Sequence, residues 1–184
     1  MTIPPVRRSI VVPWPPEAAF RRFTEDMGTW WPSQTHSVGG KKVKAVVFES
    51  RLGGRIYEEH TDGRRFQWGE VTLWEPPDRV RFTWHPSRSP ETAQEVELTF
   101  RAEGPGTRLE LVHTGWEKLG DLGPKAAKGY GIGWRYVLDV WARRRGGFVR
   151  TMDVLAAMIG GVQRLRRPPG DPRDRMGGEI ERAP

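Results

Sequence analysis

Cysteine is absent from the 184 residues. That removes disulfides, zinc–cysteine sites, thiol nucleophiles and thiol redox chemistry together. No apolar run is long enough to cross a bilayer, and Met1-Thr2-Ile3-Pro4-Pro5 lacks the apolar stretch of a signal peptide. A cytoplasmic protein without a membrane span is therefore expected. Histidine is scarce: His36, His60, His85 and His113 are the four, and no two stand at a ligand spacing such as HExxH. No metal is expected from such a set. A GxSxG elbow is missing, which leaves serine hydrolase chemistry without support. Gly129-Tyr130-Gly131-Ile132-Gly133 lacks the GxGxxG register, a following Lys-Ser/Thr and a preceding strand of a βαβ unit. No cofactor is expected.

What is present suits one folded domain. Of the residues 36% are apolar and 10% aromatic, with nine tryptophans, which is ample material for a core. The net charge of +7 is unevenly placed. Residues 143–184 hold ten arginines against five acidic residues, while the body before them is close to balanced. Such a basic end can attract nucleic acid or an anionic surface by counterion release. No recognition motif or aromatic interleaving accompanies it, so no specific nucleic-acid partner is expected.

Pattern along the chain gives an order of elements. Val6–Val12 is β-branched and stopped by Pro13, a first strand. Pro15-Pro16-Glu17 opens a helix whose apolar side is Ala19, Phe20 and Phe23. Met27–Gly40 is irregular around Pro32 and Gly39-Gly40, with room for one short helical turn. Period-two segments follow from Lys41 to Trp116, separated by Gly53-Gly54, Asp62-Gly63, Pro76-Pro77-Asp78 and Gly104-Pro105-Gly106. Six of them form an antiparallel meander, which with the first strand makes seven. Residues 125–145 then read as a long helix with Ala127, Tyr130, Trp134, Val137, Leu138 and Trp141 on one face. Gly129, Gly131 and Gly133 interrupt its first half at up to about 1 kcal/mol each, which a close approach of backbone to sheet or ligand would offset. Phe148, Met152, Leu155, Ile159 and Val162 repeat at 4-3-4-3 spacing, so 146–167 reads as an additional amphipathic helix. The tail 168–184 opens on Pro168-Pro169-Gly170 and is expected to be disordered.

The fold class is α+β: a curved antiparallel sheet of six to seven strands wrapped around a long C-terminal helix. A curved sheet and a straight helix do not fill all the space between them, which leaves room for a hollow.

Trp30-Trp31-Pro32 with His36-Ser37, Phe48-Glu49 with Gly53–Glu58, Trp68-Gly69-Glu70-Val71, Trp74-Glu75-Pro76-Pro77, Phe82-Thr83-Trp84, His113–Glu117 and Gly133-Trp134 carry a resemblance. In that order they resemble bacterial homologues of the activator of the heat-shock chaperone ATPase, over roughly residues 5–145. That resemblance implies the START-like, or SRPBCC, helix-grip superfamily, which includes polyketide cyclases and lipid-transfer domains. It implies a domain over 1–145 with an apolar cavity between sheet and helix, and a chaperone-like protein partner as one role.

Candidate residues follow from strand faces. Val80, Phe82 and Trp84 share a face, as do Val96, Leu98 and Phe100, and Leu109, Leu111 and His113. If these faces point inward, His113 stands among apolar neighbours, either as an acid–base group or hydrogen-bonded for structure. Glu58, Glu59 and Glu70 lie on central strands, facing solvent or a polar cavity; Glu58 and Glu70 join His113 as catalytic candidates. Trp30, Trp31, Tyr57, Trp68, Trp84, His113, Tyr130 and Trp134 are the expected ligand liners, unless the rings simply fill the interior. Three functions remain: a non-catalytic carrier or sensor of a small hydrophobic or aromatic molecule, a cyclase- or hydratase-like enzyme with a His/Glu pair, and a co-chaperone-like interaction module. The stripe over 148–165 packs on its own domain or on a second copy as a homodimer contact.

Overall fold

A computed structural model of the chain describes residues 3–143 and Glu179–Ile180. Seven strands run antiparallel: β1 (Val6–Val12), β2 (Val43–Phe48), β3 (Arg55–His60), β4 (Arg65–Glu75), β5 (Arg79–Trp84), β6 (Gln94–Glu103) and β7 (Gly106–Thr114). They lie in the order β1-β7-β6-β5-β4-β3-β2. The meander is therefore as the turn signals predict, and β1 returns beside β7 with Val6 opposite His113 and Val12 opposite Thr107. Among the described residues there are three α-helices: α1 (Pro16–Phe23), the single turn α2 (Met27–Trp30) and α3 (Gly123–Trp141). Glu179–Ile180 form a two-residue strand, β8, against Arg65–Phe66 of β4. The helix expected over 146–167, its 148–165 contact and the rest of the 168–184 tail lie outside the described residues. None of the described helices is long and apolar enough to cross a membrane.

Local chemistry explains the elements. α1 has proline in its first turn, Glu17 near its positive end and Arg21 and Arg22 near its negative end. β5 alternates strictly, burying Val80, Phe82 and Trp84. β6 and β7 do the same with Val96, Leu98, Phe100, Leu109, Leu111 and His113, so all three predicted faces point inward. α3 lays Trp134, Val137, Leu138 and Trp141 onto that surface. At the far end Trp141 meets Phe23 of α1 and Trp14 edge-on, with centroids 5.7 and 5.5 Å apart.

β4 is long and irregular, and this bends the sheet. Ile56 pairs with Gly69 but Tyr57 pairs with Gln67, so Trp68 is an extra residue, and a second shift falls between Val71 and Leu73. Bulges of this kind increase local twist and redirect side chains. At Gly69 a Cβ would overlap the Thr83 carbonyl, so glycine lets β4 and β5 approach at the bend.

A tryptophan-walled cavity and the groups around it

Between α3, the β4–β5 bend and the loop after α2 lies a cavity of about 250 Å³. Trp31, Trp68, Trp84 and Trp134 wall it, with Val137 and Tyr130 of α3. The indoles pack against one another: Trp31 lies 5.2 Å from Trp68 and 5.8 Å from Trp84, and Trp84 lies 5.6 Å from Trp134. Its rim is formed by Thr35, His36, Ser37 and Val38 on one side and Pro86-Ser87 on the other. Ser87 has φ of +62°, a left-handed conformation held by a non-glycine residue at the mouth.

Three of the wall tryptophans direct their N–H groups into protein. Trp31 donates to the His36 carbonyl at 2.7 Å, Trp68 to Glu58 at 3.1 Å and Trp134 to His113 Nδ1 at 2.9 Å. What they turn to the hollow is therefore ring surface. Burial raises the Tyr130 phenol above its ordinary pKa, against smaller opposing pulls from the Trp84 indole and Arg88.

Five of the expected liners, Trp31, Trp68, Trp84, Tyr130 and Trp134, meet at this cavity. The other three do not line it. Trp30 belongs to the core, packed on Phe23 at 5.2 Å with its N–H on the Arg22 carbonyl. Tyr57 takes the opposite face of β3 from Ile56 and Glu58, between the Arg55 and Arg65 guanidinium groups. His113 sits one layer behind, against Trp116, Tyr130 and Trp134.

His113 is fully buried, and burial holds its pKa down at about 3, so the imidazole is neutral near pH 7. Because Nδ1 accepts the Trp134 N–H, the proton sits on Nε2, which has no hydrogen-bond partner among the described residues. Its role here is to fix the Trp134 indole. Glu70 is exposed, since the bulge at Trp68–Gly69 carries it off the Trp68 face. Glu59 also faces outward, paired with Lys44 at 2.8 Å and Arg65 at 3.1 Å.

Glu58 is neither solvent-facing nor a wall group. It is completely buried and accepts from the Val38 N–H at 2.8 Å, the Gly39 N–H at 2.6 Å and the Trp68 N–H, with His60 Nε2 at 2.5 Å. One carboxylate thus holds both the rim and a wall. Neither His113 nor Glu58 nor Glu70 presents an acid–base atom to the hollow.

The pattern reading left out the rim. The irregular segment after Trp30-Trp31 has no periodicity to place Thr35, His36, Ser37 and Val38, although His36-Ser37 is part of its motif set. Gly133 had a sequence signal, the unexplained glycine in a helix: a Cβ there would lie 3.6 Å from His36 Nε2, on the cavity wall. Gly131 has a different neighbour, Arg8, which donates to its carbonyl at 2.6 and 2.9 Å. Among the described residues nothing accounts for Gly129.

Comparison with known proteins places this geometry. The family model described as Activator of Hsp90 ATPase homolog 1-like protein matches residues 13–142. No curated protein matches. Among solved structures, protein MLL2253 from Mesorhizobium loti is 20% identical, with 76% of this chain and 95% of that chain covered and a TM-score of 0.54. The Aha1 dimer from Colwellia psychrerythraea is 16% identical over 78% of this chain and 100% of that chain, at 0.53. The anthrahydroquino-γ-pyrone synthase Txn09 is 34% identical over 69% of this chain and 86% of that chain, at 0.49. With the matched region spanning almost the whole described domain, and the sheet gripping α3 as in the START-like fold, the chain belongs to the Activator of Hsp90 ATPase homolog 1-like family.

Proposed function

We propose that this protein binds a small, largely apolar aromatic molecule in the tryptophan-walled cavity, as a carrier or sensor and not as a catalyst. The carrying observation is the wall itself. Four indoles line about 250 Å³, and three of them have their N–H groups committed to protein partners, so ring faces meet the ligand. Apolar concave sites with few polar groups are the usual form of small-molecule pockets. Flat ligands gain most there, through offset or edge-on contacts with the rings.

The enzymatic alternative lacks the residues expected for it. His113 lies behind Trp134, Glu58 is saturated by hydrogen bonds, and Glu70 is exposed. A chaperone-type protein partner is the second reading, favoured by the family match alone.

Native mass spectrometry of the freshly purified protein tests the proposal. An adduct that is lost on denaturation, and is missing from the cavity-filling variant Gly133→Leu, is expected. An adduct retained equally by Gly133→Leu, or a bare native mass together with no uptake of added aromatic probes, contradicts it. In the partner reading, by contrast, Gly133→Leu leaves function unchanged.

A further inference from the structure

We infer that Gly133 sets the size of the ligand that the cavity admits: the side chain missing there leaves room that a fused two-ring aromatic molecule needs and a single ring does not. The inference rests on the binding role proposed above and adds the size class of its ligand. Tyr130, Gly133, Trp134 and Val137 stand at i, i+3, i+4 and i+7 on α3, and all four line the cavity. Residues at that spacing share one face of a helix. The stripe turned to the hollow thus carries three large side chains and, in its middle, none.

The protein's own packing does not call for glycine at this place. Outside its own helix and chain neighbours, a Cβ on Gly133 would meet the His36 ring alone among the described residues, at 3.6 and 3.8 Å, an ordinary contact. Its φ is not positive either. Other glycines are held by their surroundings: a Cβ on Gly69 would overlap the Thr83 carbonyl, and one on Gly131 would press on the Arg8 guanidinium at 3.1 Å. Alanine would fit at 133, and it strengthens a helix interior relative to glycine.

What alanine would take away is depth. Its methyl carbon brings the α3 side of the wall forward by one bond, about 1.5 Å. The facing wall is indole packed on indole, and close-packed rings yield little. In a hollow of about 250 Å³ a single ring can shift away from the added methyl, whereas two fused rings that span the hollow cannot. Exclusion by one methyl is therefore a matter of ligand length and not of polarity.

Equilibrium dialysis of phenol and 2-naphthol on the full chain tests this, with Gly129→Ala as the control on the same helix, at a position outside the cavity lining. Gly133→Ala is expected to weaken 2-naphthol binding by about tenfold or more and to leave phenol within about twofold. Its melting temperature is expected to rise, as that of Gly129→Ala does, while Gly129→Ala keeps wild-type affinity for both probes. Unchanged 2-naphthol affinity in Gly133→Ala, a loss of equal size for both probes, the same loss in Gly129→Ala, or a lowered melting temperature of Gly133→Ala overturns the inference. Failure of wild type to bind 2-naphthol overturns the cavity's binding role itself, and the two failures are thus told apart.

Discussion

Glu58 is a buried carboxylate whose oxygens meet three N–H donors and His60 Nε2. Replacing it with glutamine substitutes an NH2 for one acceptor oxygen, so two groups of donors face each other. Leaving buried, formerly charge-assisted partners unmatched costs about 2–4 kcal/mol. Urea unfolding of Glu58→Gln is expected to show that loss, with the rim and Trp68 released together; a change under 0.5 kcal/mol contradicts the role assigned to it. Gly39→Ala probes the same place from the other side, because a Cβ would overlap the His60 ring. Overpacking at such a contact costs about 1–3 kcal/mol.

His113 supplies a pH signature. Its folded pKa of about 3 lies below the ordinary 6.5, so between those values the unfolded chain binds a proton that the folded one refuses. Its contribution is therefore complete above about pH 6.5 and is lost as pH falls toward 3, at up to about 1.4 kcal/mol per pH unit. The stability difference between wild type and His113→Gln is expected to shrink steadily from pH 7 to pH 5. A difference independent of pH in that window contradicts a neutral buried imidazole. At this scale sequence legibility was uneven. The inward face of Leu109, Leu111 and His113 follows from period two, whereas the two backbone donors on Glu58 come from a loop some twenty residues away in sequence (Val38 and Gly39), which no strand pattern can place.

At the scale of elements, Gly129, Gly131 and Gly133 of α3 have three different surroundings. Gly133 borders His36 and the cavity, and Gly131 lies against Arg8, but around Gly129 none of the described residues comes within 4 Å of an added Cβ. Gly129→Ala is therefore expected to stabilise the protein by about 0.5–1 kcal/mol through helix propensity alone. Thermal unfolding checks this, and a lower melting temperature means that Gly129 has a role the described residues do not contain. β4 teaches the opposite lesson. Its length and its turns were legible, but its bulges were not, because an inserted residue leaves no mark in composition. Trp68 and Val71 both face inward across a three-residue step, and Glu70 falls to solvent between them. Tyr57 followed the alternation faithfully, onto the outer face. Its aromatic character had suggested a wall residue, whereas Arg55 and Arg65 cover it there.

For the whole molecule, element order and strand order were readable because each hairpin turn is marked by glycine or proline and each strand by alternation. A hollow between sheet and helix was expected as well, but its lining was only partly readable, since its shape is what remains after side chains from α3, two strands and a loop have packed. Sequence could name aromatic rings but not say which would fill the interior and which would border a hollow. Trp30 filled, while Trp31 beside it bordered. Binding in that hollow is the central claim, and calorimetric titration of 2-naphthol into wild type and Gly133→Leu tests it most directly. A saturable one-to-one heat in wild type, abolished in a Gly133→Leu protein that still unfolds cooperatively, is the expected result. No saturable heat in wild type, or the same affinity in both proteins, contradicts it.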